Sequence, residues 1–256
     1  MLGKLFGKGT FLESHIEDWC LETWAWMLRN LGGLDRLSRT PLVTPNAAFF
    51  PPSETNGDER GAYVFGRVKQ LMGMQEWDCR LEPYDRRSGS QRVGEYWFVH
   101  SRGAPQGTFS VKDGVVRVAY ARDLLDDPVA LVGTFAHELC HYLIAVLGEP
   151  CPGGEETLEL ATELATAFSG FGVFRANRAH FFERHQDAFG QGYRSGGSGY
   201  LSERTWAFAI ALFLSLRREP GAAQAWLKPQ IASDVAKACR YLERNPHILE
   251  SLRGAS

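Results

Sequence analysis

Apolar and aromatic residues recur at helical spacing in several parts of the chain. From Glu13 to Leu31 they recur every three or four residues until a Gly-Gly pair, which predicts a helix with a buried tryptophan stripe. The same periodicity predicts further helices, and a proline-rich segment between the first two is predicted to be an extended loop. The further predicted helices cover 63–74, 155–174, 202–217 and 222–244, and the loop covers 40–55.

The middle of the chain has a different pattern. Residues 93–100, V-G-E-Y-W-F-V-H, are rich in β-branched and aromatic side chains and predict a strand. Two similar runs, 108–111 and 115–120, flank the sequence Lys112-Asp113-Gly114. Because glycine accepts the positive φ of a tight turn, an Asp-Gly pair between such runs predicts a hairpin.

A helix that carries a chemical motif is predicted directly after this hairpin. Asp127 can cap it, Pro128 suits its first position, and the pattern ends near Gly148. Inside it stands His137-Glu138-Leu-Cys-His141, in which the histidines are four residues apart and share one helix face. Both imidazoles can therefore bind one metal ion, and the neighbouring glutamate can act as general base toward a metal-bound water.

The composition excludes several other classes. The 256 residues are 44% hydrophobic and 23% charged, as in ordinary globular chains, and the net charge of −2 argues against nucleic acid or an anionic membrane as partner. The five cysteines form no Cys-x-x-Cys pair, and the first residues resemble no signal peptide. We therefore expect free thiols and a cytoplasmic location. Two apolar segments, 129–147 and 161–174, are interrupted by ionisable residues and predict buried helices.

A catalytic zinc normally has three protein ligands, so a third is needed. The predicted helix 155–174 offers Glu159 and Glu163, both among apolar neighbours, where a carboxylate requires a partner. If the chain folds back through the glycine- and proline-rich segment 148–154, either carboxylate can come level with the histidines. The residues alone leave the two alternatives open.

The motif and its spacing resemble the gluzincin group of zincins, the thermolysin-like superfamily. In that family the His-Glu-x-x-His helix is followed by Glu-x-x-x-Asp, and Glu159-Leu-Ala-Thr-Glu163 is similar, with Glu163 in place of the expected aspartate. The resemblance covers about 115–174. It implies Zn²⁺ bound by His137, His141 and Glu159, with Glu163 orienting an imidazole.

The resemblance also implies a hydrogen-bond donor for the oxyanion, taken from the residues downstream of the motif. Tyr200 is the first choice because it ends a glycine-rich loop and precedes a predicted helix; the alternatives are His180, His185 and Tyr193. In zincins the strand before the motif helix lies at the edge of the sheet. We therefore expect the strand 115–120 to pair with an extended peptide substrate.

These features predict a single α+β, zincin-like domain over 1–256, in which a small, mostly antiparallel sheet precedes the active-site helix and several helices follow. Residues 1–90 either form an N-terminal helical extension or subdomain or complete the catalytic domain. The expected activity is zinc-dependent hydrolysis of peptide bonds, with Glu138 as general base. Two alternatives remain: a zinc-binding regulatory or scaffold protein, and a metallohydrolase of a non-protein amide. The expected partner is a peptide or protein substrate; the sequence does not indicate the oligomeric state.

Overall fold

The structure, a computed structural model, describes residues 9–86, 91–93, 96–98, 106–179 and 201–255. These residues form an α+β fold of helices with a small mixed sheet. The chain divides into two compact units, one of Met1–Leu42 with Glu149–Ser256 and one of Val43–Gly148. None of the helices in the described ranges combines the length and the apolar character that a membrane crossing requires.

The helices and strands are numbered along the chain. The helices are α1 (Ser14–Asn30), α2 (Gly33–Arg39), α3 (Gly57–Leu71), α4 (Pro128–Ala145), α5 (Leu158–Phe168), α6 (Gly172–Ala176), α7 (Glu203–Arg217), α8 (Pro229–Arg244) and α9 (Pro246–Gly254). The strands are β1 (Arg80–Tyr84), β2 (Gln91–Val93), β3 (Tyr96–Phe98), β4 (Gly107–Lys112) and β5 (Val115–Ala121).

The unit that contains both chain ends is built from helices around α7. The side chains of α7 are apolar on nearly every face, and most of them are buried, because other helices of the unit surround it. Ser202 caps α7 by accepting a hydrogen bond from the Thr205 amide at 3.1 Å. The predicted tryptophan stripe of α1 is confirmed in part: Trp24 is fully buried and packs on Phe168 of α5, with ring centroids 5.4 Å apart.

The segment before α1 is fixed by a buried carboxylate. Glu17 accepts hydrogen bonds from the backbone amides of Phe11 and Leu12 at 2.8 and 3.0 Å, and from the Tyr241 hydroxyl at 2.6 Å. The Arg204 guanidinium lies over the Phe11 ring at 4.3 Å and donates to the Phe11 carbonyl. Residues near the start of the chain are therefore held by α7 and α8.

The other unit is built on a three-stranded sheet in the order β1-β5-β4. β4 and β5 form the predicted hairpin, and both turn residues, Asp113 (φ 53°) and Gly114 (φ 72°), are left-handed as an Asp-Gly turn requires. β1 adds to the other side of β5 in parallel, which makes the sheet mixed rather than mostly antiparallel. Helices α3 and α4 pack on this sheet, where the Phe135 ring meets those of Phe65 and Tyr120 at 5.1 and 5.2 Å.

Two predictions about the strands are wrong. The run 115–120 is not at an edge, because β5 is paired on both sides. The run 93–100 is not one strand. β2 ends at the first residue of this run, β3 lies inside it, and the two form a short antiparallel pair. The first error has a clear cause, since β1 (R-L-E-P-Y) has little β-branched character and contains a proline, so its sequence does not predict a strand.

The predicted helix 155–174 is also wrong as a single element. It consists of a 3₁₀ turn at Gly154–Thr157, then α5, then α6 after a break at Gly170. Gly170 is left-handed (φ 87°), and a Cβ there would lie 2.1 Å from the Pro41 carbonyl oxygen. The close approach of that backbone requires glycine and ends α5. The predicted helix 222–244 is likewise shorter, since α8 begins at Pro229.

Replacing Glu17 with alanine should destabilise the helical unit by on the order of 3 kcal/mol, because two amides and one hydroxyl would lose a buried acceptor. Tyr241→Phe, which removes one donor and keeps the carboxylate, should cost about 1 kcal/mol. Urea denaturation gives both values. Glu22→Ala, an exposed change on the same helix, is the control and should stay within about 0.5 kcal/mol of the parent; an equally small effect at Glu17 would contradict the anchoring role.

Candidate functional site

The motif helix α4 begins as its sequence predicts. The Asp127 side chain accepts a hydrogen bond from the Ala130 amide at 3.0 Å, and Pro128 occupies the first turn. Along most of its length α4 is buried, so its side chains have fixed directions. His137, Glu138 and Cys140 are 7%, 5% and 0% exposed, and His141 is half-buried. The histidine that is more open to solvent is therefore the second of the motif.

The two histidines converge as the four-residue spacing predicts. Their Nε2 atoms are 3.2 Å apart, and the ring planes are inclined at 84° with centroids 4.8 Å apart. Phe109 of β4 stacks on the His141 ring at 6.1 Å with nearly parallel planes. The His141 imidazole is therefore held by an aromatic neighbour as well as by its helix.

One of the two candidate glutamates joins the histidines. A ligand atom from each of His137, His141 and Glu159 lies within 4.8 Å of the other two, which makes this a group that could hold a metal ion. Glu159 lies in the first turn of α5 and is exposed, so its expected burial among apolar residues is wrong. An exposed carboxylate is compatible with a site that has to admit water and substrate.

The other glutamate, Glu163, is the buried one. It is fully buried on α5 and forms an ion pair with Arg175 of α6, in which the Arg175 Nε donates to Oε2 at 2.9 Å and an Nη donates to Oε1. A carboxylate among apolar neighbours needs a partner, and the Arg175 guanidinium is a partner of Glu163. Nothing in the periodicity of residues 155–174 indicated Arg175, because this residue lies on α6, beyond the break at Gly170.

The general-base candidate, Glu138, lies against the first residue of β4. A Cβ at Gly107 would be 2.9 Å from the Glu138 Oε1 and 2.5 Å from the Thr134 Cγ2, so only glycine leaves room for this carboxylate. A glycine in a strand often marks such a close approach, and this was the signal that could have identified Gly107 from sequence. Burial raises the pKa of Tyr84 to about 12, and the negative charge of Glu138 contributes to the shift.

Several predicted site residues lie outside the described residues. These are Tyr200, which was the first choice for the oxyanion donor, and the alternatives His180, His185 and Tyr193. Cys140 is fully buried, as expected for a cysteine that packs in the core, and the five cysteines are all free thiols.

The comparisons with known proteins identify no family. No protein-family model matches the chain, and neither a curated protein nor a solved structure matches it significantly. The resemblance to the gluzincins therefore depends on the residues of the chain itself.

The buried ion pair should show strong coupling. Glu163→Gln or Arg175→Met alone should cost about 3–5 kcal/mol, because each leaves an uncompensated buried partner, whereas the double variant should cost clearly less than the sum. A double-mutant cycle by urea denaturation measures this. The exposed pair Asp35 and Arg39 on α2 is the control and should couple by less than about 1 kcal/mol. Additive effects at Glu163 and Arg175 would show that the pair contributes nothing.

Proposed function

We propose that this chain is a metal-dependent hydrolase of peptide bonds, in which His137, His141 and Glu159 bind Zn²⁺ and Glu138 is the general base. The observation that carries the proposal is the grouping of two imidazole nitrogens and a carboxylate oxygen next to a buried glutamate. Two histidines and one carboxylate are a ligand set used by catalytic zinc sites, which keep a fourth position for water.

The spacing of the imidazoles supports a metal. In a tetrahedral site with Zn–N distances of about 2.0–2.1 Å, two ligand nitrogens lie about 3.3 Å apart. The Nε2 atoms of His137 and His141 are 3.2 Å apart, close to this value. The third ligand is assigned to Glu159 rather than Glu163, because Glu163 is engaged by Arg175.

Glu138 has the position and the chemistry of a base. A bound Zn²⁺ would lower the pKa of a coordinated water and polarise the substrate carbonyl. The Glu138 carboxylate accepts the proton of the attacking water and later donates it to the leaving amine. A scaffold protein has no use for this carboxylate, and its placement over Gly107 therefore favours the enzyme over the regulatory alternative.

An extended peptide fits the sheet better at β4 than at β5. Among the described strands β4 pairs only with β5, so its other side offers backbone N–H and C=O groups. β4 also contacts the motif helix through Gly107 and Phe109. We infer that the substrate backbone pairs with β4, which replaces the expected pairing with 115–120.

Zinc content tests the ligand set. Protein loaded with Zn²⁺ and dialysed should retain about one equivalent by elemental analysis. His137→Ala and His141→Ala should remove most of it, and the exposed His15→Ala should not. Glu159→Ala should weaken binding far more than Glu163→Gln, since the Glu163 carboxylate is paired with Arg175 and does not belong to the metal-binding group. Full retention of zinc by the double histidine variant would end the assignment.

Activity tests the base. Glu138→Gln should keep the fold and the zinc, but hydrolysis of a pool of synthetic peptides should fall by about 10² to 10⁴, since the amide cannot accept the proton of water. Mass spectrometry of the products measures the rate. Glu149→Gln, an exposed change just beyond α4, is the matched control. Equal turnover by Glu138→Gln and the parent would rule out the proposed role.

Gly107→Ala tests the placement of the Glu138 carboxylate while leaving the glutamate itself unaltered. The new methyl would press on the Thr134 methyl group and on the end of the Glu138 side chain. Thr134 is a buried, β-branched residue that cannot move aside freely, so we expect a lowered melting temperature and, well below it, turnover reduced on the order of 10- to 100-fold. Gly66→Ala on α3, where a Cβ meets nothing within 4 Å, should leave turnover unchanged. Parental turnover in Gly107→Ala would contradict the packing argument.

A further inference from the structure

A row of apolar side chains leads away from the second histidine of the motif. Phe109 stacks on His141 and also on Tyr142, with ring centroids 5.9 Å apart in the second contact. Trp77 meets Tyr142 edge to face at 4.8 Å, and the Tyr142 hydroxyl is fixed by a hydrogen bond to the Asp78 carbonyl at 3.2 Å. All three rings are only half-buried.

The row continues with two exposed valines. Val111 is 58% exposed and lies two residues after Phe109, on the same face of β4; Val146 is 53% exposed and follows the last turn of α4. Phe109 is level with Tyr142. Two strand residues advance about 6.8 Å and four helix residues about 6 Å, so we expect Val111 to lie level with Val146. We call Trp77, Phe109, Val111, Tyr142 and Val146 the apolar strip.

We propose that the apolar strip is a specificity site, which binds an apolar side chain of the peptide substrate on the acyl side of the scissile bond. This inference rests on the proposed function and adds the substrate class. A peptide antiparallel to β4 runs from Lys112 toward Gly107, so the residues that precede the scissile bond pass Val111 and Phe109. The bond itself lies level with Glu138, which is next to Gly107.

The size and chemistry of the apolar strip favour a substrate side chain over other occupants. The five side chains of the apolar strip form a surface large enough to bind one or two apolar residues of a peptide. A stable protein interface uses about 20–30 residues on each side. The other face of β4 carries the polar residues Thr108, Ser110 and Lys112, so the apolar character belongs to the face that meets the motif helix. Contact with His141 makes the apolar strip continuous with the candidate site.

The cleavage sites of a peptide pool test the proposal. The Zn²⁺-loaded protein should cut preferentially where Leu, Ile or Phe stands within about three residues before the bond. Val111→Glu and Val146→Glu should lower kcat/KM for such a peptide about tenfold relative to the same peptide with Ser at that position. Lys112→Glu, which also places a carboxylate on β4 but one residue on and on the opposite face, should not change this ratio.

A binding measurement separates the apolar strip from the chemistry. The Glu138→Gln protein should bind the apolar peptide about tenfold more tightly than its Ser counterpart in fluorescence polarisation, and Val111→Glu should abolish the difference. If the parent cuts no peptide but this difference is present, the proposed function fails, and the apolar strip stands only as a binding site for an apolar peptide side chain. Two results would overturn the specificity site but not the proposed function. One is cleavage with no preference for apolar residues before the bond. The other is an equal change of the kcat/KM ratio in Val111→Glu and Lys112→Glu. Sedimentation analysis gives the oligomeric state. A dimer that dissociates in Val111→Glu would show that a second copy of the chain covers the apolar strip, and this would also overturn the specificity site.

Discussion

The free energy required to bury a carboxylate is the constraint on which this structure depends. Removing a charged group from water is costly unless hydrogen bonds or an opposite charge compensate for it. Glu17 is compensated by two amides and a hydroxyl, and Glu163 by a guanidinium. Glu138 lies in a space that exists only because residue 107 is glycine. Each of these arrangements fixes one segment of chain relative to another, so the polar groups in the interior determine much of its geometry.

Glu159 and Glu163 show how position on one helix divides similar side chains into different roles. They are four residues apart on α5 and share a face, yet Glu159 is exposed and Glu163 is fully buried. The difference arises because α5 enters the helical core as it proceeds from its first turn. The exposed Glu159 carboxylate belongs to the group with the two histidines, whereas the buried Glu163 carboxylate is paired with Arg175. The gluzincin resemblance implies that Glu163 orients an imidazole, whereas in the structure its carboxylate is paired with Arg175.

Features set by neighbouring residues could be predicted from the sequence, and features set by distant ones could not. The cap of α4, the Asp113-Gly114 turn and the convergence of His137 and His141 all depend on residues within a few positions of one another. The addition of β1 to β5 depends on a pairing over more than thirty residues, and its weakly strand-like sequence gave no indication of it. The break at Gly170 depends on the Pro41 carbonyl, and the partner of Glu163 lies beyond that break.

The anchor formed by Glu17 and Tyr241 has a consequence for biosynthesis. Its two residues are 224 positions apart, so the contact cannot form until Tyr241 has been synthesised and has left the ribosome. The unit Val43–Gly148 is continuous in sequence and can fold while translation proceeds. The helical unit combines Met1–Leu42 with Glu149–Ser256, so it cannot be completed until α8 has been synthesised. Contacts of such long range slow folding, because the entropy of closing a large loop is lost before packing compensates for it. During that interval the apolar face of α1 is not yet covered by the rest of the helical unit, which favours aggregation.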